Sequence, residues 1–341
     1  MIVTIPCPSQ PIPMGGVTVL YEFANALARR GHEVHVLHAR FWGRHIDSLD
    51  DLDWFTFDDG IHHQVDVGDG FTIPEADVIF GTEAPPSAGL PVLLHQGRHM
   101  FPADLERRLL ELPSLKVCVA SWLVQDAIDH GVPSAELVHV PLGLDHATFR
   151  VVDGIDQRPV HVGLLYNDHL NKGWMPASAA LGVVQRSIPD LRVLVFGRTE
   201  PKDPLPEWME FVLAPGPTQL AEEVYNRCQV FVQASKVEGF GFTAVEAMAC
   251  GCALVTSDNG GSRDYAVHGE TALVSDPTDV GAMAGHIEQL LLDDALRRRV
   301  ATAGTKLVAG FDWDRSGELL EATLLDYVRR PERYLRGARS A

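Results

Sequence analysis

Strand-like and helix-like runs alternate almost from end to end of this chain, and the alternation stops once and then restarts. "MIVTIP" precedes a run from Val17 to Arg30 in which Val19, Phe23, Ala26 and Leu27 share one face. Gly31 then ends the helix and "EVHVLH" reads as the next strand. "DVIFGT", "PVLLHQ", "KVCVAS" and "ELVHVP" continue the series. Strands separated by helices predict a parallel sheet with helices on both faces. The polar stretch "VVDGIDQRP" breaks the pattern, which resumes with "PVHVGLL", "LRVLVFG", "FVLAP", "VFVQAS", "CALVTS" and "TALV". The sequence thus predicts two doubly wound α/β domains, 1–152 and 158–312, with a linker near 151–158. A C-terminal helix lies within 313–341, and whether it crosses back to the first domain is open. In open parallel sheets ligands sit at the carboxyl ends of strands, at the switch point of each sheet, so two facing sheets would enclose one site in a cleft.

Composition removes several function classes. The 341 residues carry a formal charge of −18, which argues against nucleic acid and anionic membranes as partners. The five cysteines are odd in number and scattered, which suits reduced thiols in a cytoplasmic protein. The N-terminus has no basic region before an apolar run, and no stretch is long and apolar enough to span a bilayer, so stable membrane insertion is not expected.

The stretch starting at Ser235, "SKVEGFGFTAVEAMACGCALVTSDNGG", concentrates the chemistry. Glu238 and Glu246 flank the loop Gly239-Phe240-Gly241-Phe242, which runs into a helix from about Thr243. A helix start offers N–H groups and a positive dipole end, and glycines let a ligand approach the backbone, so the loop suits a diphosphate. On the motif alone a plainer reading stays open. Thr243-x-x-Glu246 is a capping-box pattern, and Glu238 would then be a solvated loop acid. Gly260-Gly261 closes the following strand and is expected to open another helix at Ser262.

The combination resembles the retaining glycosyltransferases of family 4: Glu-Gly-Phe-Gly, then Glu-Ala-Met-Ala-Cys-Gly, a strand and Gly-Gly. The resemblance is detailed over 230–274 and collinear elsewhere, in "GGVTVLYEFANALARRGHEVHVL" and "VPLGLDHATF". It implies the GT-B fold, two facing Rossmann-like domains, with the acceptor side first and the nucleotide-sugar side second. It implies that Glu238 meets the donor sugar, that Glu246 holds the ribose hydroxyls, and that the backbone from Phe240 through Gly241 and Phe242 to Thr243 takes the diphosphate and sugar edge, with Gly239 also on the donor side. A carboxylate accepts hydrogen bonds from vicinal hydroxyls and stabilises positive charge at an anomeric carbon, which agrees with those roles. Gly15 and Gly16 would let donor phosphate and acceptor approach the first strand–helix turn. His95 is expected on the donor sugar, its plainer reading being a buried, satisfied histidine. Arg98 and His99, in the loop after it, are assigned to the acceptor.

The family also shows Gly-Arg and then Lys-Gly after the first strand of its second domain. Here "HVGLLYNDHLNKG" keeps Lys172-Gly173 but has Leu164 in place of the arginine. Arg198 is the substitute cation to test, against a plain reading as a solvated loop arginine. No metal or other cofactor is expected, and the nucleotide sugar is a co-substrate. GDP-mannose ranks first as donor, with UDP- and dTDP-sugars open, and the acceptor is a saccharide or small molecule. Asp51 and Asp53 read as a solvated pair. His32, His35 and His38 alternate along one strand and do not converge, and His62, His63, Asp66 and Asp69 show no recognised ligand spacing. The rival classes are a nucleotide-sugar epimerase on the same fold, a non-catalytic nucleotide-sugar-binding protein and a dinucleotide oxidoreductase. The last lacks Gly-x-Gly-x-x-Gly in the first turn.

Overall fold

A computed structural model describes residues 1–40, 45–66, 72–82, 88–99 and 101–335. The chain divides into two compact units, one made of Met1–Gly143 together with the segment from Asp312 onward, the other of Leu144–Phe311.

The first unit is built on strands β1 (Ile2–Cys7), β2 (Glu33–His38), β3 (His62–Val65), β4 (Val78–Gly81), β5 (Leu90–His95), β6 (Leu115–Cys118) and β7 (Leu137–His139). Among the described residues they form one parallel sheet in the order β3-β2-β1-β4-β5-β6-β7. Helices α1 (Gly15–Arg29), α2 (Ala103–Glu111) and α3 (Ser121–Asp129) connect strands. A parallel sheet covered on both faces needs near-continuous apolar strands, and Val3, Ile5 and Cys7 of β1 and Val34, Val36 and Leu37 of β2 are fully buried. The face of α1 foreseen from periodicity, Val19, Phe23, Ala26 and Leu27, is buried too. β3 was not foreseen. Its sequence, His-His-Gln-Val, lies at the sheet edge with all four side chains at least partly exposed, so it has no apolar run to announce it.

The second unit holds β8 (Val160–Leu165), β9 (Val193–Gly197), β10 (Met209–Leu213), β11 (Cys228–Gln233), β12 (Ala253–Ser257) and β13 (Ala272–Ser275), parallel in the order β10-β9-β8-β11-β12-β13. Its helices are α4 (Trp174–Ser187), α5 (Pro217–Gln219), α6 (Phe242–Ala249), α7 (Val280–Leu292) and α8 (Asp294–Val308). Val162, Leu164, Val230, Val232 and Val255 of the sheet share a core with Leu181 and Val184 of α4 and Ile287 and Leu290 of α7. Asp279 and Asp293 accept hydrogen bonds from Ala282 N and Leu296 N and so start α7 and α8. The helix expected at Ser262 is instead a 3₁₀ turn, Gly261–Asp264. Asn259 and Ser262 bond each other's backbone N–H, and Tyr265 N closes on Ser262 O, so the chain turns back before an α-helix can extend.

Helix α9 (Trp313–Arg329) belongs to the first unit and packs on α1. Gly317 lies over Ala26 and Arg30, Arg30 donates to Asp314 O, and Trp313 meets Phe23 edge to face. In both sheets the chain reverses its winding between the first and fourth strands, at β1/β4 and at β8/β11, which sets the carboxyl ends of those strands as binding positions.

The expected linker segment packs into the second unit through Arg158, which is 3% exposed. Its guanidinium donates to the carbonyls of Asp153, Tyr225, Cys228 and Cys250. It also donates to Cys252 Sγ at 3.6 Å, so backbone carbonyls and one sulfur, with no carboxylate among these partners, compensate the buried charge. Arg158→Ala removes these bonds, although Cys252 Sγ still donates toward the Tyr225 and Cys228 carbonyls, and is expected to cost about 3 kcal/mol, since a hydrogen bond to a charged group contributes roughly 1.5–3 kcal/mol. Urea unfolding of the variant measures the loss, and a change within error would show that the knot contributes nothing.

Candidate functional site

The switch point of the second sheet brings two loops side by side. β8 leads into a turn at Leu170–Lys172, and β11 leads into the loop 234–241. Gly173 makes the approach possible. Its φ is +73°, and a Cβ there would lie 1.9 Å from Ala234 O, so no other residue fits. Lys236 N donates to Asn171 O at 2.7 Å and ties the loops together. Lys172 Nζ then lies 2.8 and 2.9 Å from the two carboxylate oxygens of Glu238. The lysine side chain keeps 33% of its exposure and the glutamate 11%. Gln233 Nε2 donates to the same Glu238 oxygen at 3.0 Å, and Thr243 Oγ1 donates to Gln233 Oε1 at 2.6 Å. The Glu238 backbone is fixed as well, its N–H on Asn259 O and its carbonyl taking Gly261 N–H.

The glycine-rich loop enters α6 through Gly241, whose φ is +95°. No side chain caps the helix and its first turn holds no acidic residue. The two members of the capping-box pattern are engaged elsewhere, Thr243 on Gln233 and Glu246 on Tyr225, whose hydroxyl donates to Glu246 Oε2 at 2.8 Å. Burial pushes the Glu246 carboxyl up to about 7, and the Tyr225 hydrogen bond offsets part of that rise. The Phe240 ring is anchored among Phe242, Tyr265 and Phe311, so its backbone faces the loop while its side chain holds the core. Tyr265 has a buried hydroxyl with no hydrogen-bond partner among the described residues, in the space a Gly241 side chain would need. Burial first, then the nearby Glu238 and Asp264, raise its pKa well above the usual tyrosine value.

In the first unit, Gly15 and Gly16 form the first turn of α1, which again has no side-chain cap and no acidic residue. Gly16 lies against the side chain of Gln96, next to His95. His95 ends β5, is 7% exposed, and its Nε2 has no hydrogen-bond partner among the described residues. Asp126 Oδ2 lies 3.8 Å from that nitrogen. Burial raises the Asp126 carboxyl, but His95, Arg98 and His130 outweigh that and hold it below the usual range. Arg98 sits between Asp126 at 3.1 Å and Glu106 at 3.4 Å, so its charge is committed within the unit. His99 is exposed with φ +62°. A cavity of about 30 Å³ lies among Thr82, His95, Gln96, Arg98, Phe101 and Glu106.

The remaining residues divide by environment. Leu164, where the arginine was expected, is a 1% exposed core residue of β8. Arg198 is exposed just past β9. Asp51 accepts from the N–H groups of Asp47 and Ser48, which hold its carboxyl below the usual range, so it caps a turn. Asp53 is exposed at the end of that turn. His38 bonds Ser9 and His63, burial drives it down to about 3, and His32 bonds Glu321. Asp69 lies outside the described residues. Gln233, Tyr225, Tyr265 and Lys236 were passed over in the sequence. Gln233 carried a signal, a polar side chain closing the apolar run Val230-Phe231-Val232.

The architecture, two parallel-sheet α/β domains, is the GT-B fold. The Anabaena protein HepE, solved in complex with UDP-glucose, shares it at a TM-score of 0.72 over 96% of this chain and 100% of that one, with 17% identity. Residues 171–307, which hold Lys172, Glu238 and Glu246, match the family model described as "Glycosyl transferases group 1". The D-inositol 3-phosphate glycosyltransferase of Corynebacterium diphtheriae is 34% identical over 131 residues, 37% of this chain and 31% of the relative. The glycogen synthase of Mycobacterium tuberculosis is 29% identical over 265 residues, 74% of this chain and 63% of the relative. The chain thus spans about a third of the length of the first of these relatives and under two thirds of the second.

Glu246 generates a pH prediction. Its proton is held more tightly in the folded than in the unfolded chain, so its contribution to stability falls as pH rises from about 4.5 through about 7. Glu246→Gln cannot ionise and removes that fall, worth about 1–3 kcal/mol between pH 5 and 8. Urea unfolding at the two pH values should show a smaller drop in the variant than in the wild type. Equal drops would mean that the carboxyl is not desolvated.

Proposed function

We propose that this protein is a retaining glycosyltransferase of family 4, moving a sugar from a nucleoside diphosphate sugar to a hydroxyl of a saccharide or small-molecule acceptor. The observation that carries the reading is the Lys172–Glu238 pair beside the uncapped start of α6, inside the segment that matches the glycosyl transferase model. GDP-mannose is the first donor to test. UDP-sugars stand next to it because HepE was solved with UDP-glucose, and dTDP-sugars follow.

In this reading the donor diphosphate competes with Glu238 for Lys172 and takes the start of α6 with its phosphate oxygens. Arg198 and Lys236 are the further cations at hand. Glu238, released from Lys172, accepts from the sugar hydroxyls and stabilises the oxocarbenium-like transition state. Glu246 receives the ribose hydroxyls beside Tyr225, and the unpartnered Nε2 of His95 serves a sugar hydroxyl. The bond from the anomeric carbon to the diphosphate breaks while the acceptor oxygen bonds that carbon on the same face. The acceptor proton passes to the departing phosphate oxygen, so no side chain changes its charge overall. A nucleotide-sugar epimerase would need further acid and base groups at the sugar, and no observation favours it.

Release of nucleoside diphosphate from a panel of nucleotide sugars, with and without acceptor sugars, tests the reaction. Binding without release would leave a nucleotide-sugar-binding protein. Glu238→Gln should lose roughly 10²–10³ in transfer rate. Because the variant frees Lys172, it should bind nucleoside diphosphate at least as tightly as the wild type. Lys172→Ala should weaken the diphosphate more than the free nucleoside, read by calorimetry. Normal turnover in the first variant, or equal losses in the second, contradict the assigned roles.

With Lys172 and α6 taking the diphosphate, a divalent ion is not needed, so transfer should persist in excess EDTA. Activity abolished by EDTA and restored by Mg²⁺ or Mn²⁺ would overturn this.

A further inference from the structure

Read one strand at a time, the histidines near β2 and β3 show no metal-ligand spacing. Pairing the strands changes that. Glu33 and His35 are two residues apart in β2 and so project from one face of the sheet. β3 runs parallel beside it with His62 directly opposite His35. The two imidazoles stack, centroids 4.7 Å apart and 21° from parallel, and His35 Nε2 lies 2.8 Å from Glu33 Oε1. One nitrogen from each histidine and one oxygen from Glu33 lie within 4.8 Å of one another. The neighbouring histidines are spoken for. His32 bonds Glu321 at 2.8 Å, and His63, on the opposite face of β3, bonds His38 at 3.0 Å.

We propose that Glu33, His35 and His62 form a surface site for a borderline divalent transition-metal ion, Zn²⁺ foremost, that fastens the edge strand β3 to β2. Two imidazoles and one carboxylate are a Zn²⁺ ligand set, with metal–ligand distances of about 2.0–2.2 Å and a fourth position for water. Tetrahedral coordination at those lengths puts ligand atoms about 3.3–3.5 Å apart. The site therefore needs a contraction of about 1–1.5 Å at its widest pair. Glu33 and His62 are exposed and can make it by side-chain rotation alone, and the paired backbones stay in register. Mg²⁺ and Ca²⁺ prefer all-oxygen shells and are rejected by the imidazoles. β3 has four residues and buries none of its side chains fully, so a bond across the strands adds what its packing does not supply. The ligands lie toward the amino end of β2, whereas the strand ends associated with transfer are the carboxyl ends, so the site is independent of the proposed reaction.

Calorimetric titration of the full chain with zinc sulfate tests the proposal. One saturable equivalent is expected for the wild type and for His45→Ala, a histidine outside the cluster. His35→Ala and His62→Ala should each weaken binding at least tenfold, and magnesium chloride should give no saturable heat. Zn²⁺ should also slow amide hydrogen exchange over 62–65. Absence of saturable binding, or binding unchanged in His62→Ala, an exposed position whose loss does not threaten folding, overturns the site. Binding without slower exchange overturns its role as a fastening.

Discussion

The candidate site of the second domain depends on one ion pair, Lys172 with Glu238, formed by residues 66 positions apart. Sheet topology brings them together. β8 and β11 are neighbours at the switch point, so the loops that leave their carboxyl ends share one space. Gly173 then lets one loop press on the other at a distance no side chain would allow. An ion pair that is one-third exposed on the lysine side contributes little to stability. Its value is positional. It holds a cation and a carboxylate at a strand end, and both can turn to a ligand that carries negative charge and hydroxyls together.

Around that pair a polar scaffold fixes each partner. Gln233 joins Glu238 to Thr243 at the start of α6, and the Asn259 and Gly261 backbone groups clamp Glu238 from the turn that follows β12. Glu246 is braced separately by Tyr225 in a setting that makes its charge costly. Such a carboxyl gains from hydroxyl donors when a ligand arrives, because they compensate the charge that burial disfavours. The first domain repeats the device in another form. His95 is buried with one ring nitrogen unpartnered, next to an Asp126 that three basic groups surround.

The alternation of strands and helices was legible because parallel strands buried on both faces must be mostly apolar, as β1, β8 and β11 are. β3 was not, because an edge strand with exposed side chains is under no such demand, and the His35–His62 pairing stayed hidden with it. The glycine-rich loop and α6 were legible from Gly239, Gly241 and Glu246. The turn after β12 was misread as a helix start because Gly260-Gly261 fits either, and the Asn259–Ser262 bonds that decide between them are side-chain events. Both members of the central pair were legible singly, but each was assigned to a ligand. That they hold each other follows only from the strand order.

The central claim is that Lys172 exchanges Glu238 for the donor diphosphate. A crystal structure of the protein with a nucleoside diphosphate sugar that supports turnover tests it directly. The account predicts Lys172 Nζ within hydrogen-bond distance of a phosphate oxygen and Glu238 turned to hydroxyls of the sugar. A donor bound with the Lys172–Glu238 pair intact and its phosphates elsewhere would contradict it.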